Sequence, residues 1–471
     1  MTGFLLSLAA VAGVLALATA AGFAASPALF SRSQGRLAER IGWSFGIGCA
    51  LIAGAVPIAF ITGLPPGWIP LVILAALAVV GGRFLPLPPP SRFALRRTSP
   101  GEGGGLPAEA LAKAGEGEAR ATAPVSWPTW VLVALLLSGV ALYALRALTE
   151  PMWSNDFLAI WGFKGKTIFF SRGLPSRLYD WKPLAFSHPE YPLGLPFLYA
   201  GVSFLTGRWD DHAMALLFPF FQVATLCVLF GWLRRRGASR ETALCAAALV
   251  ALFEPLYSAF LTGMAEVPLA FGLLLFGTAL VDATDPPSPD GLRRASSGAL
   301  RCLAFAAAFL AATKNEGLYL AAAGFAIVFL SGGSRRLRTA LAALVPALAV
   351  YGLHIAWRGR AALSDFDFAL FSAARLAEAL GSAARVPSLA GWLGFAALGA
   401  LIAFGSHSPS GNRLLLLAAC GLAAYLILPA FAVRGPTWLV QATLLRTASA
   451  LAPLVAAAVA VRLGDRSATA T

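Results

Sequence analysis

The chain has 471 residues, of which 58% are hydrophobic and only 12% charged, with a mean hydropathy of +0.74. Roughly a quarter charged is usual for a soluble globular domain, so a soluble enzyme is excluded. Thirty-six basic against 22 acidic residues give a net charge of +14. The excess falls in loops between apolar runs, which reads as a topology signal and not as a nucleic-acid footprint.

Apolar runs of roughly 20 residues, each long enough to cross a bilayer, recur along the chain. They are continuous and not alternating, which favours helices over a transmembrane barrel. The expected fold is all-α: a polytopic transmembrane bundle of about 13 spans. The first run, roughly 3–25, lacks a basic start and is too long for a signal-peptide core, so it reads as a retained span. Further spans fall near 42–62, 68–85, 127–148, 211–233, 240–260, 266–282, 298–313, 317–331, 338–356, 388–406, 412–431 and 437–462. In the short run at 298–313, Arg301 snorkels to the surface.

Basic residues set the orientation. One set of alternate loops holds Arg32, Arg36 and Arg40; Arg92, Arg96, Arg97, Lys113 and Arg120; and Arg234, Arg235, Arg236 and Arg240. The same side continues with Arg293 and Arg294, then Arg335, Arg336 and Arg338, then Arg413 and Arg466. The positive-inside rule makes this side cytoplasmic. The N-terminus is then outside and the C-terminus inside. The stretch 192–207 tests the scheme, because as a span it would invert everything after it. It has about 16 residues and early prolines at Pro192 and Pro196, so it is expected to lie at, or dip into, the outer surface. The segment 86–126, with its Leu-Pro-Leu-Pro-Pro-Pro and Gly-Glu-Gly-Gly-Gly stretches, cannot bury a core and reads as a disordered cytoplasmic linker. It separates an N-terminal three-span unit, 1–85, from the rest. The five cysteines (Cys49, Cys227, Cys245, Cys302, Cys420) all lie in apolar runs without C-x-x-C spacing, so neither a metal site nor a disulfide framework is indicated.

Polar residues collect on the outer side. The 149–208 loop carries Asn-Asp-Phe-Leu-Ala-Ile-Trp-Gly-Phe-Lys at 155–164 and Ser-His-Pro-Glu-Tyr-Pro-Leu at 187–193. Phe157, Ile160, Trp161 and Lys164 recur at helical spacing behind Asp156, with Ser154 or Asn155 as the cap, so the loop is expected to hold amphipathic surface helices. Glu266 sits in a short outer turn, and Lys314, Asn315 and Glu316 sit in the next. Arg358, Arg360, Asp365 and Asp367 follow the span containing His354. Ionisable groups this close to hydrocarbon are costly and mark a task or a partner, which suggests one polar cavity opening outward.

The order Asn-Asp-Phe-Leu-Ala-Ile-Trp-Gly-Phe-Lys (155–164), His-Pro-Glu-Tyr-Pro-Leu-Gly-Leu-Pro (188–196), Ala-Glu-Val-Pro (265–268) and Thr-Lys-Asn-Glu-Gly (313–317) resembles the outer turns of the GT-C glycosyltransferases. The nearest are bacterial members related to protein mannosyltransferases and the lipid A aminoarabinose transferase. The resemblance covers 127–360 as the catalytic module, leaving 361–471 as C-terminal transmembrane helices. It implies transfer of a hexosyl- or pentosyl-type sugar from a polyprenyl-phosphate donor to an extracytoplasmic acceptor (lipid, glycan or protein), with inversion, in the bacterial cytoplasmic membrane.

Such a reaction needs one carboxylate to take the acceptor's proton. No acid is needed for the departing lipid phosphate, whereas a glycoside hydrolase needs two placed carboxylates. Asp156 matches the family's catalytic acid; its plain alternative is a carboxylate complementing a helix N-terminus. Glu266 is a second acid or an arginine-paired loop carboxylate. Lys314 and Arg358 are the candidates for the phosphate, with Asn315 and Glu316 steering Lys314; ordinary snorkelling is the alternative. Lys164 binds headgroup phosphate or pairs with a carboxylate. His188, Glu190 and Tyr191 match the family pattern at the loop's end as substrate contacts, or pin the loop. Arg434 is a weaker candidate. There is no Asp-x-Asp at 156, and although a divalent metal is compatible with the chemistry, no motif calls for one; no cofactor is indicated. Membrane lipids are the remaining partners. The competing readings are a transporter or flippase, which would show interrupted helices and charges at the midplane, and a surface-polysaccharide ligase or polymerase, for which 357–387 with Arg375 and Arg385 would be the late outer loop.

Overall fold

In the computed structural model the described residues are 2–26, 37–65, 126–173, 186–285, 297–330, 336–358, 367–386 and 408–469. Every regular element among them is helical. In chain order the helices of ten residues or more are α1 (Thr2–Ala25), α2 (Leu37–Ile61), α3 (Trp127–Thr149), α4 (Gly162–Ser171), α5 (Gly194–Thr206), α6 (Leu217–Arg235), α7 (Arg240–Ala251), α8 (Glu266–Thr284), α9 (Ser297–Thr313), α10 (Asn315–Leu330), α11 (Arg336–Arg358), α12 (Ala373–Ala384), α13 (Pro409–Ile427), α14 (Pro436–Ser449) and α15 (Ala452–Thr469).

Seven of the described helices are long and apolar enough to cross a membrane, or eight if the bent pair α14–α15 is one crossing. The expected spans at 68–85 and 388–406, and the linker at 86–126, lie outside the described residues. The run expected to be one span at 437–462 is two helices meeting at 43°.

α8 is the axis of the bundle. It is apolar all round, so no face prefers lipid, and nearly every residue from Glu266 to Val281 is buried. α6, α9, α10, α13 and α15 pack around it. Phe271 meets Phe45 and Phe309 edge-on at its centre. Between hydrocarbon-like surfaces, close backbone approach replaces the hydrophobic effect as the source of helix affinity. α1 and α2 show this: a Cβ on Gly22 would lie 1.8 Å from the Ser44 carbonyl oxygen, and one on Gly48 2.0 Å from that of Ala18. α2 then continues inward, packing on α5 and α6.

α5, expected to lie at or dip into the outer surface, is enclosed by its neighbours and not laid on top of them. Residues from Leu195 to Ser203 are all buried, enclosed by α2 and α4. The prolines do not exclude it from the interior, because Pro196 falls in the first turn, where a missing N–H leaves nothing unpaired. α4 is likewise half-buried against α5 and not a free amphipathic face.

Candidate functional site

The site lies where α8 begins. The Asp156 segment enters through a wide first turn: residues Phe157–Trp161 are π-helical, and the N–H of Gly162 reaches back to the carbonyl of Phe157. The N–H of Phe157 donates to Ser154 Oγ at 3.3 Å, a capping role for Ser154. Single π turns recur at functional sites because they rotate side chains off the α-helical register. Here Asp156 faces a cation from the far end of the sequence. Arg446 Nη1 lies 2.7 Å from Asp156 Oδ2.

From that pair a chain of charges runs inward. Arg446 Nε lies 3.5 Å from Glu266 Oε1, Lys314 Nζ is 3.2 Å from the same oxygen, and Lys314 Nζ is 2.9 Å from Glu316 Oε1. Burial pushes the Lys314 ammonium down, but the charges of Glu266 and Glu316 more than offset it and hold it above the usual lysine value. The tight turn from α9 to α10 makes this placement feasible: a Cβ on Gly317 would lie 2.0 Å from the Leu310 carbonyl oxygen.

A second cluster adjoins the first. His188 has a positive φ of 49°, which histidine tolerates better than most residues, and it turns the chain so that Tyr191 N–H donates to its carbonyl at 3.0 Å. The same carbonyl accepts from the buried Lys164 Nζ at 2.6 Å. His188 Nδ1 lies 2.9 Å from Glu190 Oε1, and His354 Nε2 is 3.2 Å from the Glu190 carbonyl. The rings of Trp161, Tyr191 and His188 stack in that order. Burial raises the Tyr191 phenol well above its ordinary value, and Glu316, Glu190 and Asp156 add to the shift. Burial drives Lys164 down to about 7 against the opposing charge of Glu190.

Several buried polar atoms here lack a hydrogen-bond partner: Glu190 Oε2, Glu266 Oε2, Glu316 Oε2, Asn315 Oδ1, Trp161 Nε1 and Arg446 Nε. Buried polar groups are normally satisfied, so such a concentration calls for an explanation. Their common location suits a ligand rich in hydrogen-bond groups. Among the described residues no group of three or more His, Cys, Asp or Glu side chains is placed to hold a metal.

Beside the cluster is an apolar cavity of about 540 Å³ between α2, α5, α9 and α11, within the range of roughly 300–1,000 Å³ usual for small-molecule pockets. Its rim touches the site through Pro192, Thr313 and His354, each adjoining or contacting a residue already named, and reaches Pro268, two residues beyond Glu266.

Asp156, Glu266, Lys314 and Glu316 are thus joined in one network, with Lys164, His188, Glu190 and Tyr191 alongside. Asn315 sits in the α9–α10 turn. Of the two phosphate candidates, Lys314 is engaged by two carboxylates, one of them the Glu316 expected to steer it, and Arg358 ends α11 with its side chain outside the described residues. Arg360 and Asp365 also lie outside them. Arg434 stacks on Trp438. Arg375 is tied to the carbonyls of Ala430 and Ala432. Arg446 was missed because it was absorbed into an apolar run. The signal was present: an arginine in the middle of a span is costly unless it has a role.

No family model matches the chain, and neither a curated protein nor a solved structure does.

Proposed function

We propose that the chain is an integral-membrane glycosyltransferase that moves a sugar from a polyprenyl-phosphate donor to an acceptor outside the cytoplasm, inverting the anomeric carbon. Asp156 takes the proton of the acceptor hydroxyl or amine. The acceptor's electron pair forms the new bond at the anomeric carbon as the bond to phosphate oxygen breaks, and polyprenyl phosphate leaves as an anion. In this reading the bundle crosses the bacterial cytoplasmic membrane about thirteen times, with the N-terminus and the site outside and the C-terminus inside.

The observation that carries the reading is the joining of two unlike surfaces. A buried ionic network with unspent hydrogen-bonding atoms borders an apolar cavity that could take an isoprenoid segment. A lipid-linked sugar has both characters in one molecule. Lys314 holds Glu266 and Glu316 in place, and Arg446 is the cation best placed for the phosphate. His188, Glu190, Tyr191 and Asn315 are assigned to the sugar and acceptor.

One observation favours the transporter reading. Discontinuous helices line the binding sites of many transporters, and α14–α15 is bent next to Arg446. The deciding experiment supplies a panel of polyprenyl-phosphate sugars to membranes containing the protein and follows free polyprenyl phosphate by mass spectrometry. The transferase reading expects release by the wild type and little by an equally abundant Asp156→Asn variant. Equal release by both would remove Asp156 as the base, and no release across a broad panel would favour transport.

A further inference from the structure

Two arginines of the charged networks are held in different ways. Arg235 grips Glu39 with both prongs of its guanidinium, Nε to Oε2 and Nη2 to Oε1, each at 2.8 Å, and also binds Asp282 at 2.5 Å. Planar two-point contacts of this kind fix a guanidinium in place. Arg446 has no such grip. One prong, Nη1, reaches Asp156 Oδ2, with the weakly accepting Met264 Sδ at 3.5 Å from the same nitrogen. Its Nε is buried and near Glu266 but makes no hydrogen bond. The residue stands one turn before the break between α14 and α15.

Three carboxylates, Asp156, Glu266 and Glu316, share two cations in this network, and Lys314 is held by two of them. An anion entering the site therefore meets a negative balance. Of the two, Arg446 is the cation with a buried nitrogen, Nε, that makes no hydrogen bond. Any anion that recruits it competes with Asp156 for the same guanidinium.

We propose that Arg446 is a latch on Asp156: a phosphate group entering the site draws the guanidinium to itself and frees the Asp156 carboxylate. In the empty site the carboxylate is occupied, and the phosphate of the ligand releases it. Arg446 is thus a positioning residue whose partner changes with occupancy. This rests on the transferase reading for the consequence of release, but not for the exchange itself, which requires only a phosphate.

The test uses the full chain in lipid nanodiscs and reads carbodiimide labelling of Asp156 by peptide mass spectrometry, because an arginine-paired carboxylate is shielded from the reagent. Polyprenyl monophosphate, inorganic phosphate and the neutral polyprenol are compared, with binding followed by native mass spectrometry. Polyprenyl monophosphate is expected to raise the labelling rate about tenfold or more, the scale of one charge-assisted hydrogen bond; polyprenol leaves it unchanged. Arg446→Gln is expected to label at the fast rate without ligand and to ignore phosphate. Arg446→Lys, which keeps the charge and guards against misfolding of the first variant, is expected to keep a reduced response. A rise with inorganic phosphate alone supports the latch and identifies the free anion as its ligand. Bound polyprenyl phosphate with unchanged or slower labelling overturns the latch and leaves the transferase reading standing. Failure of both anions to bind overturns the latch and removes the phosphate-donor reading with it.

Discussion

Glu266 and Asp282 stand near opposite ends of α8, roughly 25 Å apart at 1.5 Å per residue. Each has an arginine for a partner, yet the two neighbourhoods use their hydrogen bonds differently. At the Asp282 end, Arg235 joins Glu39 to Asp282, Arg236 joins Asp282 to Asp285, and Arg413 and Ser410 close on Asp285. Trp232 Nε1 also donates to Asp282. Three arginines face three carboxylates, and none of their side-chain atoms is among the buried groups without a partner. At the Glu266 end, carboxylates outnumber cations and several buried atoms are unspent. A buried network that is satisfied and neutral ties helices together. One that is unsatisfied and unbalanced is tolerated where a ligand completes it. Charge alone does not separate the two; the hydrogen-bond account does.

That contrast predicts opposite consequences for equally small changes at the two ends. The largest effect is expected for Asp156→Asn, which keeps shape and removes the proposed base. Donor turnover should fall about 10²- to 10⁴-fold, with the thermal midpoint in detergent close to the wild type. A large loss of stability instead would make Asp156 a structural partner of Arg446 and weaken the distinction. Arg235→Met should do the reverse. It strands the buried Glu39 and half of Asp282, and removing one member of a buried pair costs about 3–5 kcal/mol. Denaturation should register that loss, while the fraction that stays folded should retain near-normal turnover per molecule.

The same contrast explains what was legible in the sequence. Composition alone identifies a helical membrane protein, because nothing else buries so much apolar chain. The polar turns at 155–164, 188–191, 266 and 313–317 stand out against apolar runs, and they meet in space. Arg446 did not stand out because Thr-Leu-Leu-Arg-Thr-Ala continues an apolar run; only its pairing with Asp156 and Glu266 reveals why an arginine is there. The enclosure of α5 was not legible for a related reason. Thirteen residues are too few to cross a bilayer, but shortness does not say whether a helix lies on a surface or inside a bundle. That depends on α2 and α4, which periodicity cannot place.

A smaller effect is expected at the α9–α10 turn. Gly317→Ala puts a methyl against the Leu310 carbonyl, and such overpacking costs about 1–3 kcal/mol. Since the turn carries Lys314, turnover should fall by more than the folded fraction does. A proportional fall would mean that Lys314 tolerates displacement, and the Glu266 end would then be less finely positioned than its unspent atoms suggest.

The last effect sits at the edge of the site and concerns pH. Lys164 is buried with its ammonium donating to the His188 carbonyl, and burial lowers it to about 7. An unfolded lysine titrates near 10.4. Between about 7 and 10 the unfolded chain therefore binds the extra proton and the folded chain does not, so this group makes stability rise as pH rises through that window. Below about 7 both states are protonated and the folded state bears the full cost of a buried charge. Lys164→Met, similar in length and without charge, should flatten the rise in thermal midpoint between pH 7 and 9.5 relative to the wild type. The comparison must be the slope and not the midpoint itself, because the variant also loses the His188 bond at every pH where the lysine would make it. An unchanged slope would show that Lys164 keeps its proton throughout, held by Glu190. The 188–191 turn would then belong with the satisfied network at the far end of α8 and not with the ligand-ready one beside it.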